Sequence, residues 1–312
     1  MAVPTGDWLV LMQHEYLRRY VADRGCAIKF VSGSDGVLAD VESRLGAICR
    51  ERLLEVVKLD AATTKLHMMQ DVFFAIAKNT DWDRLAQLWL EAVFRQNNYE
   101  WPRPGEAVPL RELADVYRVD QTLLRQQVLQ WLTRYLMNER ELAQGFRSAM
   151  ANLCMRRLEP SDENAVAPVI EWLRGELRTI AAVRQVPINA KITRHNARAM
   201  LRSLCHWLRL IGGRGFVATL DLRQVSRSEF GGQLRYTPAA TMDAFEVLRQ
   251  LIDEAESFEG LFLFVMTDDN FDSEDVKRSL SVYPALKERL YSEVHSRAHE
   301  NPLACLIHDC RV

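Results

Sequence analysis

The sequence predicts an α/β fold with parallel strands, interrupted by a large all-helical insertion. Three stretches carry that prediction. Residues 27–40 read AIKFVSGSDGVLAD: a short apolar run, a glycine turn, then an amphipathic pattern through Val41 and Leu45. That is strand, turn and helix. A second short apolar run, LLEVVKL at 53–59, follows with a helical stretch between the two. The two strands therefore make a βαβ unit, read as a parallel pair with its β-branched residues buried and a right-handed crossover. The third stretch is the pair FVATLDL at 216–222 and LFLFVM at 261–266, each an apolar run set beside a helical pattern.

Taken in order, Asp7–Asp23 has helical spacing at Trp8, Leu11, Met12, Tyr16, Leu17 and Tyr20. Gly25 ends that helix. A helix from about Val37 to Arg50 follows the glycine turn. Lys65 to about Arg95 is helical again, and Asn97–Pro109, with three prolines and a glycine, is a break. Leu110 to about Arg156 reads as two or three helices rich in Arg and Gln. Another helix starts at Pro160–Asn164, with Ser161 as its cap, and runs through Trp172 and Leu177. Asn196–Leu210 is strongly amphipathic and closes on Gly212 and Gly213. Arg223–Tyr236 reads as a polar loop. Thr237-Pro238 opens a helix to about Glu256. A helix at Tyr283–His295 and a short strand at Leu303–Ile307 end the chain. The expected division is 1–97 and 191–312 for the two parts of the α/β domain, with 98–190 as the helical insertion.

Composition excludes several classes. The 312 residues are 48% apolar and 26% charged, with a net charge of −2, so no global basic field points to nucleic acid or an acidic membrane. The first residues lack the pattern of a secretory signal, and no apolar run reaches the roughly 20 residues of a membrane span. Six cysteines without a C-x-x-C pair read as reduced thiols, and the expected location is cytoplasmic.

Two segments resemble parts of a nucleotide site. A phosphate loop, G-x-x-x-x-G-K-[ST], turns backbone N–H groups and a helix N-terminus toward the anion, while its Lys neutralises the phosphates and its hydroxyl holds Mg²⁺. Counting from Gly33, the second glycine position holds Leu38, the Lys position Ala39 and the Ser/Thr position Asp40; Gly36 remains within the turn. Ala39 supplies no charge. A carboxylate about 4 Å from a phosphate oxygen costs roughly 4 kcal/mol at an effective dielectric of 20. Asp40 is alternatively a charge that stabilises the helix start. In FVATLDL, Asp221 fits the acid that holds Mg²⁺ through water, but Leu222 stands where a Glu would polarise the attacking water. Other patterns are weaker. His295-x-x-x-His299 with Cys305, His308 and Cys310 matches no common zinc spacing, and no metal is expected. LRELADVYRVDQTLLRQQV, from Leu110, loosely resembles a helix-turn-helix, although any arginine-bearing helix pair reads similarly. Trp82, Trp89, Trp131, Trp172 and Trp207 read as core.

The stretches AIKFVSGSDG, KLHMMQDVFFAIA, NARAMLRSLCHWLRLIGGRGFVATLDL, YTPAATMDAFEVLRQLIDEAESFEGLFLFV and YPALKERL resemble the ATP-binding proteins of bacteriophage-exclusion (BREX) loci, P-loop ATPases related to origin-recognition-type AAA+ proteins. The resemblance implies a doubly wound, AAA+-like P-loop sheet with Ala27–Val31 as loop strand and Phe216–Asp221 as Walker B strand. It also implies an ATPase acting on DNA beside a helicase or methyltransferase partner. Arg289 in YPALKERL matches an arginine that serves a neighbouring subunit. The chain departs from the family at the catalytic positions Gly36-Val37-Leu38-Ala39-Asp40 and Asp221-Leu222. The expected function is therefore a degenerate, non-hydrolysing subunit without a bound cofactor, structural or regulatory in an anti-phage complex. The alternative is a subunit that binds ATP–Mg²⁺ and completes its site with an intact paralogue. A DNA-binding role for the arginine-rich helices at 110–160 is a third reading.

Overall fold

The computed structural model describes residues 4–52, 54–160, 167–213, 215–227, 236–274, 278–291 and 303–307. They form two compact units. The α/β unit comprises residues up to Ile76 and from Gly213, and the helical unit runs Ala77–Gly212.

The α/β unit is built on five parallel strands: β1 (Ala27–Ser32), β2 (Glu55–Asp60), β3 (Phe216–Asp221), β4 (Leu261–Thr267) and β5 (Leu306–Ile307). Their order across the sheet is β2-β3-β4-β1-β5. The pattern of burial explains the order. Every residue of β1 and β4 is buried, as is nearly all of β3, and these three lie in the middle. In β2, Lys58 and Asp60 are exposed, which suits an edge. The expected pairing of β1 with β2 is thus corrected: they are parallel in one sheet, but β3 and β4 lie between them. Of the two β2 valines, Val57 is buried and Val56 only partly so.

Helices cover both faces, as in a doubly wound fold. On one, α1 (Thr5–Met12, continued by a π-helical segment Gln13–Tyr20) and α2 (Asp35–Glu51) bury Trp8, Met12, Leu38, Val41, Leu45 and Cys49 against Val31, Phe262 and Phe264. Full burial of each such side chain contributes about 1.5–3 kcal/mol. On the other, Phe271 stacks on Phe30 at 5.9 Å and meets Phe245 of α11 (Pro238–Asp253) edge-on. Lys29, within the inner strand β1, is 6% exposed. Its ammonium donates to the carbonyls of Leu303 and Ala304 and lies 5.0 Å from the Tyr16 ring centre, tying the approach to β5 onto β1. Two glycines hold the β3 and β4 starts together: Gly215 (φ +140°) and Gly260 (φ +69°), whose carbonyl accepts from Phe216 N–H at 2.8 Å.

The helical unit contains α4 (Trp82–Gln96), α5 (Leu110–Tyr117), α6 (Gln121–Trp131, continued by a π-helical segment Leu132–Met137), α7 (Gln144–Leu158), α8 (Ala167–Arg174) and α9 (Ala197–Leu210); α3 (Met69–Lys78) spans the boundary. The helix expected to start at Pro160–Asn164 is described from Ala167, because residues 161–166 lie outside the described set. Trp89 stacks on Trp207 at 5.6 Å, and Phe94 is ringed by Trp101, Trp131 and Tyr99. Trp82, Trp89, Trp172 and Trp207 are core, and Trp131 is half-buried.

Candidate functional site at the carboxyl ends of β1, β3 and β4

In an open parallel sheet the site for chemistry is the crevice beyond the carboxyl ends of the strands. Register places Ser32 of β1, Asp221 of β3 and Thr267 of β4 at that edge, with Ser32 opposite Thr267 and Asp221 opposite Met266. The turn from β1 into α2 is shorter than a phosphate loop needs. β1 ends at Ser32 and α2 begins at Asp35, so only Gly33 and Ser34 connect them. Ser34 is extended (φ −66°, ψ 159°), which lets the helix begin two residues before the expected Val37. The Gly33 amide already donates to Thr267 O at 3.2 Å. A Cβ on Gly36 would meet nothing within 4 Å, and one on Gly33 only ordinary contacts, so packing against the rest of the protein requires neither glycine.

The early helix start moves the expected site residues. Gly36 lies within the first turn of α2, and Ala39 and Asp40 lie in the second. Asp40 is therefore not at the helix start; its carboxylate accepts from Arg44 Nε at 3.0 Å, one turn on. The acid that stands at the positive end of the α2 dipole is Asp35.

Asp35 belongs to an ion-pair network, with Asp221, Arg223, Arg227 and Asp268, that no local sequence pattern shows. Arg223 and Ser226 bound a short helix, α10 (Arg223–Ser226), where a loop was expected; its reach through Arg227 supplies a second guanidinium. Arg223 clamps Asp221 with both ends of its fork, Nε at 2.9 Å from Oδ1 and Nη2 on Oδ2, and its backbone N–H donates to the same Oδ1 at 3.1 Å. The other guanidinium nitrogen reaches Asp35 Oδ1 at 2.5 Å. Arg227 donates to Asp35 Oδ1 at 2.8 Å and to Asp268 Oδ2 at 2.7 Å. Asp268, just past β4, also accepts from the Ser226 hydroxyl and the Asn270 amide, both at 3.2 Å. Arg227 and then Arg223 hold the Asp35 carboxyl below its ordinary range, and Asp221 foremost holds Arg223 more firmly protonated. Bidentate, charge-assisted pairing of this kind is geometrically demanding and strong where it is shielded. Arg223 and Asp221 are shielded, their side chains about one-fifth exposed (19% and 21%), whereas Asp35 at 68% is open to water.

These residues do not fit a magnesium–triphosphate group. Both oxygens of the acid that would hold Mg²⁺ through water accept from the Arg223 guanidinium. Leu222, in the place of the water-polarising acid, is 1% exposed, and its backbone N–H is bound to Met266 O. A carboxylate rather than a lysine faces the helix N-terminus. Among the described residues no cluster of three or more His, Cys, Asp or Glu forms a metal site. The His295, His299, His308 and Cys310 pattern lies outside the described residues. Cys26, Cys49, Cys154, Cys205 and Cys305 form no disulfide among the described residues, and burial pushes Cys26 and Cys49 up to about 12, which leaves those two inert.

Arg289 is on α12 (Pro284–Leu290) and donates to Asp253 at the end of α11, at 2.8 Å. Asp253 also pairs with Arg249, which grips Glu246. Arg249 first, with help from Tyr283 and Gln250, lowers the Glu246 carboxyl to about 2.

The strand order, the helices on both faces and the acid at the end of β3 define a P-loop-like α/β protein with a helical insertion. The sequence model of the BREX system ATP-binding protein BrxC/D family matches residues 108–308, well over half of the chain, and the chain belongs to that family. The match takes in β3, β4, β5 and the Arg223–Asp221 clamp, and begins after the β1–α2 turn. No curated protein and no solved structure matches the chain. The sequence pattern does not show Asp35, Arg227 and Asp268 as a network because their partners lie 41 to 192 residues away, and Arg223, although only two residues from Asp221, joins it to Asp35 across 188. The available signals were an acid directly after the glycine turn, an Arg two residues past Asp221, and an acid closing LFLFVMTD.

Proposed function

We propose that this chain is a non-hydrolysing member of its family, serving as a structural or regulatory subunit of a BREX-type defence assembly. The observation that carries the reading is the Asp35–Arg223–Asp221 bridge across the edge where a nucleotide's phosphates and magnesium would sit. Ala39 in the second turn of α2, the two-residue connection and buried Leu222 point the same way. The guanidinium of Arg223 provides beside Asp221 the positive charge that a divalent ion would otherwise bring. The sheet is then held by a permanent internal pair where active relatives of this architecture would use a ligand. The partners are other proteins of the same cytoplasmic defence system.

The competing reading gives the chain a role in hydrolysis through Arg289, offered to an intact paralogue. The pairing of Arg289 with Asp253 inside its own unit speaks for a local structural role instead. Arg289→Ala in the reconstituted assembly separates the two. The ATPase rate of the assembly is expected to stay within about twofold of wild type. An arginine supplied in trans is worth about 10³–10⁵ in rate, so a fall of that order would establish the competing reading.

A further inference from the structure

Within the helical unit, α5 and α6 form a helix-turn-helix in which α6 carries no acid of its own. α5 stops at Tyr117, and Arg118 takes the left-handed conformation (φ 55°, ψ 43°). The Val119 amide then donates back to Ala114 O at 3.0 Å, and Asp120 caps α6 by accepting from Leu123 N–H at 3.0 Å. The connection is three residues long, the length that lets a second helix be presented from the first. The inner face is fixed by packing: Leu113 and Ala114 of α5, and Leu124 and Val128 of α6, are buried, and Leu132 and Leu136 extend the stripe through the π-helical segment.

The outer face is different in kind. Gln121, Thr122, Arg125, Gln126, Gln130 and Thr133 are exposed and recur at helical spacing along one side. Leu123 and Leu129 are exposed beside them, at 49% and 38%. From Gln121 to Asn138 there is no Asp or Glu. Gln pairs bidentately with adenine and Arg with guanine in the major groove, and apolar atoms contact the thymine methyl. The charge of the unit agrees. Ala77–Gly212 has 20 Arg and Lys against 15 Asp and Glu, a net of +5, while the remainder of the chain has 20 against 27, a net of −7. Arg118 is exposed at the turn that leads into α6. Arg125 pairs with Glu159 at 2.7 Å, but the two side chains are 48% and 36% exposed. A pair that open holds little energy, and a phosphate can take the place of the carboxylate.

We propose that α6 is a recognition helix that docks in the major groove of duplex DNA. The test uses the whole chain and a fluorescein-labelled mixed-sequence duplex of about 30 base pairs, long enough to span several turns of the groove. Anisotropy is expected to show binding at about 50 mM salt that weakens at least tenfold by about 200 mM. The double substitution Arg118→Glu/Arg125→Glu is expected to weaken low-salt binding by about tenfold or more, while Arg18→Glu/Arg19→Glu, the same charge change on an exposed segment of the α/β unit, leaves it within about twofold. Gln126→Ala/Gln130→Ala, which removes no buried contact, is expected to keep the affinity for mixed sequence and to flatten the preference recovered by selection from randomised duplexes. Absence of binding at low salt overturns the proposal. So does binding that the Arg118/Arg125 variant leaves intact while it unfolds at the wild-type temperature. Protection of the α6 amides by a protein component of the assembly, without any duplex binding, would assign the face to a protein partner and also overturn it.

Discussion

Arg223→Ala is expected to destabilise the α/β unit by about 1–3 kcal/mol. Removing one partner of a fully buried ion pair costs about 3–5 kcal/mol because the other charge is stranded. Asp221 and Arg223 are each about one-fifth exposed, so water recovers part of that cost. The loss falls on more than one contact. Asp221 loses its fork, and Asp35 loses one of its two guanidiniums while keeping Arg227. The measurement is a double-mutant cycle with Asp221→Asn by chemical denaturation. A neutral amide no longer strands a charge, so the double variant is expected to recover about 1 kcal/mol or more relative to additivity. Additive behaviour would mean that the clamp holds nothing, and the structural role assigned to it would fail.

Gly215→Ala is expected to cost about 3 kcal/mol or more, from two sources. At φ +140° the backbone is strained for any residue with a Cβ, which alone is worth about 1–3 kcal/mol. The added methyl would also lie 2.4 Å from Val21 Cγ1 and 2.9 Å from the Gly260 carbonyl oxygen. The carbonyl cannot swing aside, because it accepts the hydrogen bond from Phe216 that opens β3 beside β4. Thermal unfolding should therefore shift down by roughly 6 °C or more, at about 2–4 °C per kcal/mol for a unit of this size. A shift below about 2 °C would show that the β3–β4 start is looser than its geometry implies.

How much of this was legible depended on whether the deciding contacts were local. β1, β3 and β4 are mostly apolar runs because they are buried on both faces, and that signal is in the sequence itself. β2 was placed as a strand but not at its position, since nothing in a βαβ pattern says how far the crossover carries the chain. The exposed Lys58 and Asp60 were the only hint of an edge. The α2 start differs from the expected one because Ser-Asp-Gly reads as turn, whereas an extended Ser34 followed by Asp35 at the dipole end suffices to begin the helix. The absence of a lysine and of a second acid was visible residue by residue. The network that occupies the same edge was not, because Arg223 and Asp35 are 188 positions apart and meet only when β1 and β3 flank β4. Lys29 was hidden in the same way, its carbonyl partners lying more than 270 residues on.

The carboxyl edge of this sheet, bridged by its own side chains, is expected to take up no nucleotide. Isothermal titration of magnesium ATP into the purified chain tests it most directly. The prediction is no saturable heat at nucleotide concentrations up to about 1 mM, which places any binding weaker than about −4 kcal/mol. Saturable binding with a micromolar Kd, about −8 kcal/mol, would show instead that the edge is open to nucleotide.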